Sequence, residues 1–181
     1  TLAPETFHAV AETSAGVFEI AVHRAWSPHG ADRFHALARA GYYDDSRFFR
    51  VVAGKWAQFG IAGDPAVAQA WRGRTIADDV LVQSNTAGFV AFAHTGPGTR
   101  STQIFINLGD NAAQNDREPG FAPFGRVVRG MAVVRRLYAG YGETSGGGMR
   151  AGRQDVLFAG GNPYFDAHFP RLDRLVRMRV G

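Results

Sequence analysis

Phe48-Phe49-Arg50-Val51-Val52-Ala53-Gly54-Lys55-Trp56-Ala57-Gln58-Phe59-Gly60 is the stretch on which the fold turns. Aromatic and β-branched residues fill Phe48–Val52 and Trp56–Ile61, and each run reads as a strand. Upstream, Phe7, Ala9 and Ala11 alternate with polar residues, Ser14–Gly16 interrupts, and Val17–Val22 resumes, which predicts a hairpin over residues 6–24. Ser27-Pro28 then opens a helix over 29–40. A capping hydroxyl precedes a proline at the first helical position, Ala31, Phe34, Leu37 and Ala38 share one face, and Gly41 ends the run.

Downstream, Gly88–Ala93, Gln103–Asn107 and Phe124–Val127 read as strands, and Met131–Tyr138 as a second helix stopped by Gly140 and Gly142. Residues 63–86 and Gly109–Gly120 read as polar connections. Thr144–Gly152 is glycine-rich and predicts mobility, Phe165–Phe169 a helical turn, and Leu172–Val180 a last strand. Many strands with helices far apart in sequence exclude a regular βαβ alternation. They predict a β-barrel or sandwich with two appended helices. With no internal repeat and no interdomain linker, residues 1–181 read as one domain, extended at 144–181.

Composition sets bounds. The 181 residues are 45% hydrophobic and 20% charged, an ordinary globular balance with enough chain for a core. No run of about 20 apolar residues offers a membrane span. The absence of cysteine excludes disulfides and thiolate chemistry but does not fix a compartment. No signal peptide or initiator Met is visible at Thr1. That leaves the cytoplasm open and, for a trimmed chain, the periplasm or secretion. The formal net charge is +4, carried almost wholly by arginine, since Lys55 is the only lysine. Arg171, Arg174, Arg177 and Arg179 cluster near the C-terminus. No RNA-binding aromatic motif accompanies them, so a solvated surface is expected rather than a nucleic-acid partner.

Several chemistries are tested and set aside. His8, His23, His29, His35, His94 and His168 are scattered without metal-ligand spacing, so no metal is expected. Gly96–Thr102 has the glycines of a phosphate loop but precedes a strand, where phosphate binding needs a helix N-terminus. Asp44-Asp45 and Asp78-Asp79 read as turn residues, because adjacent side chains point apart. No Gly-x-Ser-x-Gly elbow supports a serine hydrolase.

Phe48–Gly60 resembles the first motif of the cyclophilin-type peptidyl-prolyl cis–trans isomerases. The blocks that follow are similar to that family in the same order: Gly41-Tyr42-Tyr43-Asp44 before it, then Phe92–Pro97, Ser101–Ile106 and Gly120–Met131 after it. Together they cover about residues 5–140, and Gly120–Gly125 with Gly140–Glu143 is similar to a bacterial-style branch. The resemblance implies a closed antiparallel barrel of about eight strands, capped by the helices at 29–40 and 131–138. It implies an isomerase of X–Pro bonds that assists folding, acts on proline-containing polypeptides as a monomer, and needs no cofactor.

By this resemblance Arg50 and Gln103 are the catalytic side chains. Phe48, Val52, Lys55, Trp56, Ala93, His94, Thr95, Phe105 and Phe121 are the substrate-binding set. The chemistry suits them. Rotation of an X–Pro bond crosses about 18–20 kcal/mol because it breaks amide resonance. A fixed donor beside the proline nitrogen favours the twisted state, and a permanently charged arginine is such a donor. Gln103 can orient Arg50 and bind substrate backbone, and aromatic walls suit the proline ring.

Three departures stand out. Lys55 replaces a phenylalanine that usually walls the proline pocket, His94 a common asparagine, and Phe121 a common histidine. Asp110–Pro119 offers no match to the usual pocket leucine or to the tryptophan associated with cyclosporin, so weak cyclosporin binding at most is expected. Lys55 also keeps alive an alternative, a proline-peptide-binding module of the same fold with weak or no catalysis. The basic pI keeps a nucleic-acid-associated protein as a second.

Overall fold

The computed structural model describes residues 1–147 and 154–181. Its centre is one antiparallel sheet of nine strands. The hairpin forms as expected, β1 (Thr6–Thr13) pairing with β2 (Gly16–His23) in a register from Thr6↔His23 to Thr13↔Gly16. Next come α1 (Pro28–Arg39), β3 (Ser46–Arg47), β4 (Arg50–Val52), β5 (Trp56–Phe59) and α2 (Pro65–Arg72). They are followed by β6 (Phe89–Phe92), β7 (Ile104–Asn107), α3 (Ala112–Asn115), β8 (Gly125–Arg129) and α4 (Met131–Arg135). The chain ends with α5 (Asp155–His168) and β9 (Arg174–Val180).

The strand order is β3-β9-β1-β2-β8-β6-β7-β5-β4. Its two end strands, β3 and β4, are separated only by Phe48 and Phe49, so one chain segment joins the ends of the sheet, and the nine strands roll into a half-barrel whose ends are not paired, rather than the closed barrel of about eight strands that the resemblance implied. The Phe48 N–H donates to Asp173 O at 3.0 Å, continuing the pairing of β3 with β9. Inside lies an aromatic core. Phe18, Phe34, Phe48, Phe59, Phe92 and Phe124 are all fully buried, with ring centroids 5.0 Å apart for Phe34–Phe124 and 5.2 Å for Phe48–Phe59.

Helices depart most from the sequence reading. The two expected ones are present, the second shortened to Met131–Arg135, and three more accompany them. Residues 63–86, read as a polar connection, contain α2. Asp64 caps it by accepting from the Ala66 N–H at 2.9 Å, and Pro65 sits at its first position. Gly160, Gly161 and Pro163 hid α5. Gly161 does break its helical geometry with φ 56, and a Cβ there would meet Gly63 O at 2.3 Å. The glycine-rich stretch begins with a 3-10 turn at Thr144–Gly146, and its expected mobility falls partly on residues 148–152, outside the described residues.

Asp79 corrects another expectation. It is no mere turn residue. Its carboxylate accepts from Ser27 Oγ (2.6 Å) and from the N–H groups of His29 (3.1 Å) and Gly30 (3.0 Å), taking over the capping that Ser27 was expected to provide. Arg100 Nη2 closes the cluster at 2.9 Å, and both charged side chains are only 3% exposed.

Candidate active site

Strand alternation builds a second, smaller apolar cluster on the far face of the sheet. On β4, β5, β7 and β6 the inward residues Val51, Ala57, Phe59, Ile104, Ile106, Val90 and Phe92 join the barrel core. Their outward neighbours Trp56, Ala91 and Phe105 form a separate cluster, packed by Val52, Ala93 and Phe121. Register sets the outward residues side by side. Arg50 faces Gln58, Gln58 faces Phe105, and Phe105 faces Ala91, a ladder across four strands.

A cavity of about 730 Å³ opens over this ladder. Its floor is apolar: Phe105 and Phe121 meet edge to face at 5.4 Å. At its edge the Arg50 guanidinium lies 4.8 Å from the Trp56 ring centroid. A line of polar side chains then runs along one wall. Glu143 receives Arg50 Nε and Nη2, both at 2.9 Å, as a two-pronged ion pair. Arg50 Nη1 donates to Gln58 Oε1 (3.0 Å), and Gln58 Nε2 donates to Gln103 Oε1 (2.9 Å). Gln103 Nε2 donates to Gln154 Oε1 at 2.8 Å, and Gln154 Nε2 returns a bond to Gln103 Oε1 at 3.1 Å.

Gly60 lets this wall close up. It has φ +117, and a Cβ there would lie 2.4 Å from Thr102 O and 2.7 Å from Gln103 Cα. Only glycine permits β5 to end so near the backbone that carries Gln103.

The opposite wall is made of loops. His94 Nδ1 accepts from the Gly96 N–H (3.1 Å), so Nε2 carries the ring hydrogen and donates to Gly120 O (2.8 Å). Its ring stacks on Phe121 at 4.2 Å. The Asp78 carboxylate accepts from the Gly98 N–H with both oxygens at 3.0 Å and ties down the same loop. Phe121 is held from below by Asn85, whose Nδ2 donates to Phe121 O and to Asp116 Oδ1, each at 2.8 Å. Hydrogen bonds to the Asp116 carboxylate from Ser84 and Asn85 outweigh its burial and hold its pKa below the ordinary carboxylate value.

Of the residues expected from sequence, Arg50, Trp56, Ala93, His94, Thr95, Gln103, Phe105 and Phe121 come together around the cavity. Three lie outside it. Phe48 packs in the barrel core against Phe18 and Phe59, while the next residue, Phe49, stacks on Phe165 of α5. Val52 packs against the second cluster without lining the cavity. Lys55 is exposed, its Nζ 5.7 Å from the Trp56 ring centroid, as a long charged side chain settles over an aromatic face. Nor does Gln103 touch Arg50 directly; Gln58 stands between them. Gln58 was legible in principle, two residues after Trp56 and so on the same strand face. Glu143 stood only at the end of the Gly140–Glu143 block with no role attached, and Gln154 left no trace.

Comparison with known proteins agrees with this geometry. The family model for cyclophilin type peptidyl-prolyl cis-trans isomerase/CLD matches residues 8–155. Peptidyl-prolyl cis-trans isomerase CYP18-2 of Arabidopsis thaliana is 34% identical over 132 residues, covering 70% of this chain and 77% of that protein. Peptidyl-prolyl cis-trans isomerase A of Dickeya dadantii is 32% identical over 135 residues, or 72% and 70% of the two chains. The crystal structure of a Cryptosporidium parvum cyclophilin type peptidyl-prolyl cis-trans isomerase shares the fold, with TM-score 0.69 at 16% identity over 97% of this chain and 98% of that one.

A rolled antiparallel sheet with an outward aromatic cluster beside an arginine defines a protein of the cyclophilin class. The chain belongs to the cyclophilin-type peptidyl-prolyl cis–trans isomerase family, whose activity on proline-containing peptides is an aid to protein folding. Among the described residues no helix is long and apolar enough to cross a membrane.

Proposed function

We propose that Arg50 supplies the charge that stabilises the twisted X–Pro amide, while Trp56, Phe105 and Phe121 receive the proline ring. One observation carries this reading: the guanidinium lies 4.8 Å over Trp56, where the apolar cluster meets the polar line inside a single cavity. Arg50 keeps a second hydrogen on each of Nη1 and Nη2 beyond those given to Gln58 and Glu143. As the amide twists, the proline nitrogen regains its lone pair and accepts one of them. A hydrogen bond to a charged group contributes about 1.5–3 kcal/mol, or roughly 10- to 150-fold in rate, if it forms only in the twisted state. Gln58 and Gln103 hold the substrate backbone across the same wall, and Ala93, His94 and Thr95 form the facing edge.

Lys55 leaves the proline slot free, which favours a working isomerase over a binding module without catalysis. Residues 1–181 act as one domain: β9 pairs with both β1 and β3, so the C-terminal strand belongs to the sheet. The C-terminal arginine cluster gives little support to a nucleic-acid partner. Arg177 and Arg179 are already engaged by Glu12 (2.7 Å) and Asp44 (2.9 Å). Cyclosporin binds weakly, because Arg117 and Glu118 line the cavity on the loop where the resemblance leads one to look for a leucine and a tryptophan.

Titration of the ¹⁵N-labelled protein with a short Ala-Pro peptide tests the placement. The Trp56 indole, the Gln103 side-chain amide and the backbone of Ala93 and Phe105 are expected to shift together. Perturbations centred on another surface would overturn it.

A further inference from the structure

The polar line begins and ends on residues that no barrel strand carries. Glu143 follows α4, and Gln154 immediately precedes α5. The line also has a fixed direction. Arginine has donors and no acceptor, so the amide it meets must present oxygen to it, as Gln58 Oε1 does. Gln58 must then present nitrogen to Gln103, and Gln103 must turn Oε1 towards Gln58 and Nε2 away. Gln154 fits that direction, taking Gln103 Nε2 on its own oxygen and returning its nitrogen to Gln103 Oε1. At the other end Glu143, which has only acceptors, grips two nitrogens of Arg50 and leaves Nη1 for Gln58.

Neither contact exhausts the donors over the groove. The amide nitrogens of Gln58 and Gln103 each retain a hydrogen beyond the one given away within the line. Glu143 itself is not among the residues that line the cavity, although it holds Arg50, which is. The N-terminus of α5 is anchored where this demands. Arg72 Nη2 bonds Asp155 at 2.6 Å, and the Arg72 guanidinium lies 4.3 Å over the Phe158 ring, so α2 fastens the residues next to Gln154. Both Arg72 and Phe158 line the cavity as well.

We propose that the segment after α4 supplies two positioning residues to the isomerase: Glu143, which fixes the Arg50 guanidinium, and Gln154, which fixes the amide of Gln103. This rests on the assignment of Arg50 and Gln103 to the reaction. Barrel strands set the backbone under the wall, and the C-terminal segment sets the side-chain orientation on it. Loss of orientation at a reacting group costs rate even when the group itself remains.

The test compares Glu143→Ala, Glu143→Asp, Gln154→Ala and Arg50→Ala with wild type, in kcat/KM for an Ala-Pro peptide and in thermal midpoint. Glu143→Ala is expected to lower kcat/KM about 10-fold or more, chiefly through kcat, and Gln154→Ala about 3- to 10-fold, both with midpoints near wild type. Glu143→Asp recovers part of the loss. The Arg50 Nε–H resonance, assigned by its absence in Arg50→Ala, shifts in Glu143→Ala and returns towards the wild-type position in Glu143→Asp. A purely structural role moves neither the resonance nor the rate per folded molecule. Either alanine variant that stays within about twofold of wild type, while Arg50→Ala is inactive, removes that residue from the proposal. Undiminished turnover by Arg50→Ala instead overturns the assignment on which the proposal stands.

Discussion

Two arginines, each paired with a carboxylate far away in sequence, do opposite work. Arg100 is walled in with Asp79, each side chain 3% exposed, and its nitrogens face Asp79, Ser27 and the Ala77 carbonyl at the start of α1. Arg50 is 16% exposed beside a Glu143 that is 44% exposed, and it lies on an aromatic ring in an open cavity. The first arginine is buried with its carboxylate and holds loop to helix. The second keeps hydrogens free over a groove. An arginine with donors left over a concave apolar surface is poised for a ligand, whereas one sealed in with its partner serves the fold.

The separation can be broken from either side, and the largest expected effect falls on stability. Asp79→Ala leaves Arg100 charged and unpaired in the interior and uncaps α1. It is expected to cost about 3–5 kcal/mol, read as a fall in thermal or denaturant midpoint, while kcat/KM per folded molecule stays within about twofold. An unchanged midpoint would remove Asp79 from its structural role. Acid should act through the same group. Burial raises the Asp79 pKa, but hydrogen bonds from Ser27, Gly30, Arg100 and His29 outweigh it, and the net value lies below the ordinary carboxylate pKa. Its contribution is therefore complete above about pH 4 and is lost as pH falls through the depressed folded-state value. A pH series of denaturation midpoints should show that acid limb in wild type and a shallower one in Asp79→Asn.

On the groove side, Phe121→Ala removes the ring that packs on Phe105 and His94. A rise in KM of about 10-fold is expected with kcat little changed, because a proline-ring wall binds ground and twisted states alike. A fall in kcat at constant KM would place Phe121 elsewhere in the mechanism. Lys55→Ala should do least. Its ammonium is exposed over Trp56, and kcat/KM is expected to move by less than about twofold. A larger change would return Lys55 to the proline slot.

The difference between these regions is also the difference between what the sequence discloses and what it hides. Arg50, Trp56 and Phe105 lie on strands in contiguous motifs, and a period of two puts them on one face. The hairpin, α1 and β9 were legible for similar reasons of local pattern. Asp79 was read as a turn residue because its capping partners lie 49 to 52 residues away. Glu143 reaches Arg50 across 93 residues and Gln154 reaches Gln103 across 51, on glycine-rich chain with no periodicity of its own. Phe48 was misplaced for a related reason. Alternation fails at the link between β3 and β4, where Phe48 and Phe49 are both fully buried. Local pattern reports faces of regular elements; contacts made by loops and caps depend on the rolled sheet that brings them together.

NMR magnetisation exchange of a short Ala-Pro peptide at equilibrium, with wild type and Arg50→Ala side by side, reads the contribution of Arg50 to X–Pro rotation without any other step. Wild type is expected to accelerate cis–trans exchange, and Arg50→Ala to lose roughly 10- to 150-fold of that acceleration with a thermal midpoint within a few degrees of wild type. Equal acceleration by the two proteins would contradict it.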